Sequence, residues 1–451
     1  MSQEGYCFVT HTPQQAKKWQ DICAKDPKRV VRVIRHTLGA PRTREGDDHS
    51  DIFPALEAIK RYSRGKVFGG PQDPLWGPLV DSGVADALCD SVETLVTAYT
   101  PLPDMPKHLY EKAINDVPAP YQEPLMILCN AATRFTQPPG PHDKTVIAAL
   151  KSHWSNMMDK VWTEPYNTLR PEGSHIAERM VIGQLVIRTV ITDPTVLSII
   201  YLDKTIPVVA RHWAHATAED CVDARVPGGT LHLLFKPLHP AHVKYVQQNP
   251  ISTLAMLNGI LLGVGSSPTS TKAEQVSDLM NVFSKHLDMS MPRDANLELD
   301  LLSDLLELDD EDVMYGAIKS ENLWRSEVGA MKRCSVQNDP DQKVMGLDAI
   351  AKAMSMLTLS ANIASGKDRE QLIRVSLEAG LFDVLDLVVS DLVAMEGRMD
   401  VCSKFKRHHP FQSPRPIIVL TLHIWSFESR ASRTSIHGHP NVDDDRKRIH
   451  Q

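Results

Sequence analysis

The chain has no Cys-x-x-Cys pair. Its seven cysteines, at 7, 23, 89, 129, 221, 334 and 402, stand singly and are odd in number. That excludes a cysteine-paired zinc site and points to reduced thiols rather than a disulfide framework. Long apolar runs are also missing. The longest, Ile251 to Val264 and Ile417 to Trp425, fall short of the roughly 20 residues needed to span a bilayer. The opening Met-Ser-Gln-Glu-Gly-Tyr carries neither a basic nor an apolar leader region, so no secretory signal is expected. There is no surplus of positive charge: 49 basic against 56 acidic residues leave a net charge of -7, which argues against a dedicated nucleic-acid binder. Alternating apolar and polar residues are nearly absent before residue 400, so no sheet of consequence is expected.

Motifs of catalysis are lacking as well. Neither Gly-x-Ser-x-Gly nor His-Glu-x-x-His occurs. Gly263-Val-Gly265-Ser-Ser-Pro resembles a phosphate loop only superficially, without the third glycine of a dinucleotide fingerprint or the Gly-Lys-Ser/Thr of a nucleotide loop. Asp309-Asp310-Glu311-Asp312 is no calcium loop, because Val313 stands where an oxygen ligand is needed and no glycine follows.

What is present is helical spacing, started again and again. Hydrophobic residues at 42% and charged residues at 23% are ordinary for a folded soluble chain. Four Asp-Pro dipeptides, at 26–27, 73–74, 193–194 and 339–340, each precede a run of helical apolar spacing. Asp can cap the free amides of a first turn, and Pro loses nothing at the first helical position because it has no amide hydrogen. Ile147, Leu150, Trp154, Met157 and Val161 make one stripe, and Leu347, Ile350, Met354, Leu357 and Ala361 make another. Ser174 to Thr192 is apolar over most of its circumference and is placed deepest in the core. A proline-rich stretch from Pro101 to Pro124 and a Gly-Gly-containing stretch from Val226 to Pro240 are expected to be irregular, the latter a loop or short strand.

One unit is used twice. With Gly83 laid on Gly380, Asp81 meets Glu378, Val84 meets Leu381, Asp86 meets Asp383 and Leu88 meets Leu385. Each copy reads as a helix end, a glycine where the chain turns without a side chain, and a new apolar helix. The pattern resembles the junction between helices of an armadillo repeat. The run Ser174 to Asp220, with Ala177-Glu178-Arg179, Val190-Ile191-Thr192-Asp193-Pro194 and Arg211-His212-Trp213, is similar to uncharacterised helical proteins abundant in basidiomycete, mushroom-type fungi. Many of those carry a C-terminal MYND zinc finger. This chain lacks the finger's cysteine pairs, so nothing the finger does is implied for it.

The expectation is an all-α, armadillo/HEAT-like helical solenoid. Residues 1–265 would form an N-terminal repeat region, 266–296 a linker with a connecting helix, and 297–398 a C-terminal repeat region. Residues 399–451 would be a largely disordered basic tail, since Cys402 to Gln451 holds nine Lys/Arg, four Asp/Glu and six of the 19 histidines. Gly83 and Gly380 are the structural repeat turns, and no catalytic, cofactor-binding or metal-ligating residue is assigned. Glu172, His175 and Glu178 form a single Glu-x-x-His edge where di-iron bundles need two, and His212, His215 and Glu219 are read as packing and surface. Lys28, Arg29, Arg32 and Arg35, and the eight carboxylates between Leu297 and Asp312, are read as solvated faces. The function expected is a non-enzymatic scaffold for a protein or peptide partner in the cytoplasm or nucleus, with no cofactor, membrane or small-molecule substrate. The alternatives are a nucleic-acid or chromatin-associated regulator acting through the tail and an unrecognised helical enzyme.

Overall fold

The computed structural model describes residues 13–36, 52–65, 72–94, 121–163, 176–216, 221–236, 240–249, 252–265, 269–308, 310–337 and 339–389. The expected tail, most of the proline-rich stretch, Glu172, His175 and Glu219 lie outside them. Among the described residues every regular element is helical and no strand occurs, so the protein is all-α.

In chain order the helices are α1 Pro13–Lys25, α2 Pro27–His36, α3 Ile52–Arg64, α4 Trp76–Asp81, α5 Val84–Thr94, α6 Gln122–Ala132, α7 Pro141–Thr163 and α8 Ile176–Thr192. A short turn at Pro194–Val196 leads to α9 Leu197–Ile200, then α10 Thr205–Ala214, α11 Cys221–Phe235, α12 Pro240–Gln248 and α13 Thr253–Val264. They continue as α14 Lys272–Met289, α15 Pro292–Leu306, α16 Glu311–Lys319, α17 Glu321–Ser335, α18 Pro340–Ile363, α19 Gly366–Glu378 and α20, 381–389.

All four Asp-Pro dipeptides start helical turns by the same device. The Asp carboxylate accepts an amide of the new turn: Arg29 on Asp26 at 3.1 Å, Leu75 on Asp73 at 3.0 Å, Thr195 on Asp193 at 3.1 Å, and both Asp341 and Gln342 on Asp339 at 3.1 and 3.0 Å. Each bond satisfies one donor that the first turn leaves unpaired.

The chain divides into two compact units, residues 1–282 with 300–310, and residues 283–299 with 311–451. In the first unit the helices fall into two rows. α1, α3, α6, α8 and α11 pack each on the next, and so do α2, α5, α7, α10 and α13. α1 on α2, α5 on α6, α8 on α10 and α10 on α11 join the rows. Among these ten helices chain order alternates between the two rows. Trp19, Tyr121, Trp154 and Trp213 are all fully buried, and the indole of Trp154 in α7 donates to the Thr205 hydroxyl of α10 at 2.7 Å. Every residue of α10 is buried. In the second unit α17 packs against α18 and α19, and α16 touches both. The Trp324 indole, buried there, donates to the Ala317 carbonyl at 2.8 Å.

Two expectations are corrected. Val226 to Pro240 is not a loop or strand: residues through Phe235 belong to α11, with Pro227 inside the helix. A Cβ on Gly183 of α8 would sit 2.8 Å from Val226 and 3.4 Å from the Pro227 nitrogen. Close packing of α8 there, with Thr230, Leu231 and Leu234 buried, outweighs the poor helix propensity of Pro227-Gly228-Gly229. The acidic run 297–312 is not uniformly solvated either, because Glu298 and Asp304 are buried. α14 opens on a reciprocal cap, in which the Thr271 amide donates to Glu274 at 2.7 Å and the Glu274 amide to the Thr271 hydroxyl at 3.3 Å.

Candidate functional site

The two glycines make the same turn. Gly83 has φ +87° and Gly380 φ +97°, a left-handed conformation that side chains with a Cβ rarely adopt. The Gly83 amide donates to Val80 at 2.9 Å and that of Gly380 to Leu377 at 3.0 Å. The Gly83 carbonyl accepts from Ala87 at 3.2 Å and the Gly380 carbonyl from Val384 at 3.3 Å. Each turn aims a helix whose apolar side is buried: Val84, Ala87 and Leu88 in α5, Leu381, Val384 and Leu385 in α20. The opposite sides carry acids, Asp86, Asp90 and Glu93 in α5, Asp383 and Asp386 in α20.

In the first unit this acidic side joins a polar strip across three consecutive helices of one row, α2, α5 and α7. Arg35 of α2 reaches Asp90 at 3.7 Å. His153 of α7 pairs through Nδ1 with Glu93 at 2.6 Å, and lies 3.7 Å from Asp90 and, through Nε2, 3.9 Å from Asp86. Asn156 donates to Glu93 at 3.5 Å, and His142 approaches Asp81 at 3.3 Å. Asp86, Asp90 and Arg35 remain about half-exposed, so their charges face solvent and any partner. The two ring nitrogens of His153 point in opposite directions, so the carboxylates beside them do not converge on one point. Among the described residues no group of three or more metal-capable side chains does.

No protein-family model matches this chain, and no curated protein or solved structure does. The chemistry must therefore be read from the side chains themselves.

Of the residues singled out in the sequence, Lys28, Arg32 and Arg35 are on the exposed side of α2, with Arg29 half-buried. Arg32 meets Asp26 at 3.8 Å. His212 is buried and bonded through Nδ1 to the Val208 carbonyl at 2.7 Å, whereas His215 is exposed at the end of α10. They do not form a pair of ligands. Gly263 has a packing role. A Cβ there would lie 2.4 Å from the Pro207 carbonyl oxygen and 2.7 Å from Ala210, and one on Gly259 would lie 2.8 Å from Ile206. The Gly259-x-x-x-Gly263 face is what lets α13 and α10 approach closely. Cys23, Cys89, Cys129 and Cys334 are buried. Burial pushes the Cys23 and Cys129 thiols up to about 12 and Cys334 up to about 11, so they are inert as nucleophiles.

Three groups escaped the sequence reading. Asp304, almost wholly buried, takes His232 Nδ1 on one oxygen and Lys236 Nζ on the other, each at 2.6 Å. Residues 68 to 72 positions apart give no spacing signal. Asp203 accepts the amide and hydroxyl of Thr205 at 2.8 and 2.6 Å. Burial nevertheless raises its carboxyl to about 6, with the Thr205 bonds opposing. Glu327, in α17, is buried and neither carboxyl oxygen has a hydrogen-bond partner. Desolvation alone raises its carboxyl well above the ordinary value.

Proposed function

We propose that this chain is an armadillo/HEAT-like helical-repeat scaffold that binds a protein or peptide partner, and that α2, α5 and α7 carry the contact strip in its first unit. The observation that supports the reading is the alternation of helices between two stacked rows in the first unit. Stacked hairpins expose one helix of each pair side by side, and such a row can lay down an extended peptide or another helix over a long surface. With Asp81 of α4 at its edge, the strip holds four carboxylates against one arginine and two histidines. It therefore favours a partner segment with several basic side chains, and its attraction weakens with salt.

The experiment is capture of partners from native extract on the full chain and on two double variants, Asp86→Lys with Asp90→Lys, and Asp383→Lys with Asp386→Lys. Loss of specific partners with the first pair alone is the expected outcome. Unchanged capture by both double variants would refute the contact strip. Capture of the same partners by residues 399–451 alone would refute the scaffold reading.

A further inference from the structure

The second unit contains an acid that its fold does not use. Glu327 lies in the middle of α17, flanked at helical spacing by the buried Leu323, Trp324, Ala330 and Met331 and followed by the buried Val328, and both its oxygens lack a partner. Such a carboxyl is tolerated when neutral, but in ionised form it has neither water nor a countercharge.

Several charged groups on the surrounding helices are engaged elsewhere, and on α14, which Arg333 touches, His286 lies 3.2 Å from Glu298. On α17 itself Arg325 pairs with Glu378 at 2.9 Å, Lys332 with Asp383 at 3.9 Å, and Arg333 donates to the Leu287 carbonyl. On α18 Lys352 pairs with Asp348 at 2.9 Å. On α19 Arg369 caps the Asn362 and Ala364 carbonyls and Arg374 bonds Gln371. On α16 Lys319 stacks on Tyr315 at 4.2 Å. No charge among them acts on Glu327, whose surroundings work through desolvation alone.

We propose that Glu327 is a proton-controlled latch of the second unit: protonated, it lets α17 seat against α18 and α19, and loss of the proton drives α17 to open so that the carboxylate reaches water. The sign follows from linkage. A carboxyl that holds its proton more tightly in the folded state stabilises the closed unit below its ordinary value of 4.5. That contribution falls as pH rises above 4.5 until the buried group itself ionises. The opening proposed is a local one, of α17 against its neighbours. It would bare Trp324, Val328 and Met331, so a rise in pH would convert a closed helical face into an apolar one.

The test is hydrogen exchange by mass spectrometry on the full chain from pH 5 to 8.5, corrected for the intrinsic rate, for the wild type, Glu327→Gln and Glu327→Leu. In the wild type the opening constant of α17 should rise by up to about tenfold per pH unit above pH 5 and then level off. Both variants should be flat. Glu327→Leu guards against the case in which the buried amide of Glu327→Gln itself prevents folding. A wild-type opening constant independent of pH, or the same rise persisting in either variant, would overturn the proposal.

Discussion

Replacing Gly263 by alanine adds one methyl group to a close helix contact in the first unit. Its Cβ would stand 2.4 Å from the Pro207 carbonyl oxygen, 2.7 Å from the Ala210 Cβ and 3.0 Å from the Arg211 amide nitrogen, whereas ordinary contacts begin at 3.4 Å. Two of these three atoms are backbone and cannot rotate away. α13 must therefore part from α10 by about 1 Å, and a gap of that size forfeits a quarter to a half of the dispersion energy of each contact it opens. Met256, Leu257 and Ile260 on α13 and Ile206 on α10 are buried in this region. Moving α10 also strains Arg211, which donates to the Val161 and Trp162 carbonyls at 2.8 and 2.9 Å. Overpacking of this kind costs about 1 to 3 kcal/mol, sometimes more, and alanine returns up to about 1 kcal/mol through its better helix propensity. With rigid backbone on the other side the upper end applies, so the net loss should be about 2 kcal/mol. Gly259→Ala meets mainly the side chain of Ile206, which can shift, so its loss should be smaller. Gly229→Ala, inside α11 with nothing within 4 Å of the added carbon, should gain about 0.5 to 1 kcal/mol. Urea unfolding of the three variants gives the order directly. Gly263→Ala as stable as the wild type, or no less stable than Gly229→Ala, would refute the packing argument.

Gly83→Val and Gly380→Val should each cost about 1 to 3 kcal/mol, because both backbones sit at positive φ; unchanged melting of both would show that the turns relax freely. Asp203→Asn should stabilise the first unit at pH 7 by about 2 to 3 kcal/mol, from a carboxyl raised from 3.8 to about 6. The wild type should lose that stability as pH rises from 4 to 6, and a variant whose unfolding keeps the same pH slope would contradict it. Asp304→Ala should cost about 2 to 4 kcal/mol by leaving His232 and Lys236 without their buried counter-ion. Chemical denaturation in which this variant matches the wild type would show the cluster to be dispensable.

Local chemistry was readable from the sequence wherever it is decided within a few residues. The Asp-Pro caps were, because the carboxylate and the amides it accepts lie two or three positions apart, and so were the glycine turns at 83 and 380, because a positive φ favours glycine whatever surrounds it. The stripes of α7 and α18 showed themselves through spacing, since one turn of helix fixes which side chains share a face. Other features required the tertiary structure, because their partners are remote in the chain. Val226 to Phe235 reads as a loop by propensity and is a helix because α8 packs against it at Gly183. Gly263 reads as the end of an apolar run and is a contact surface because α10 comes to within reach of it. Asp304 looks like any other carboxylate in a row of acids, and Glu327 like an ordinary acid among the charges of a helix. Only burial, with counter-ions from 68 and 72 positions away in one case and no partner in the other, separates them from residues that water solvates.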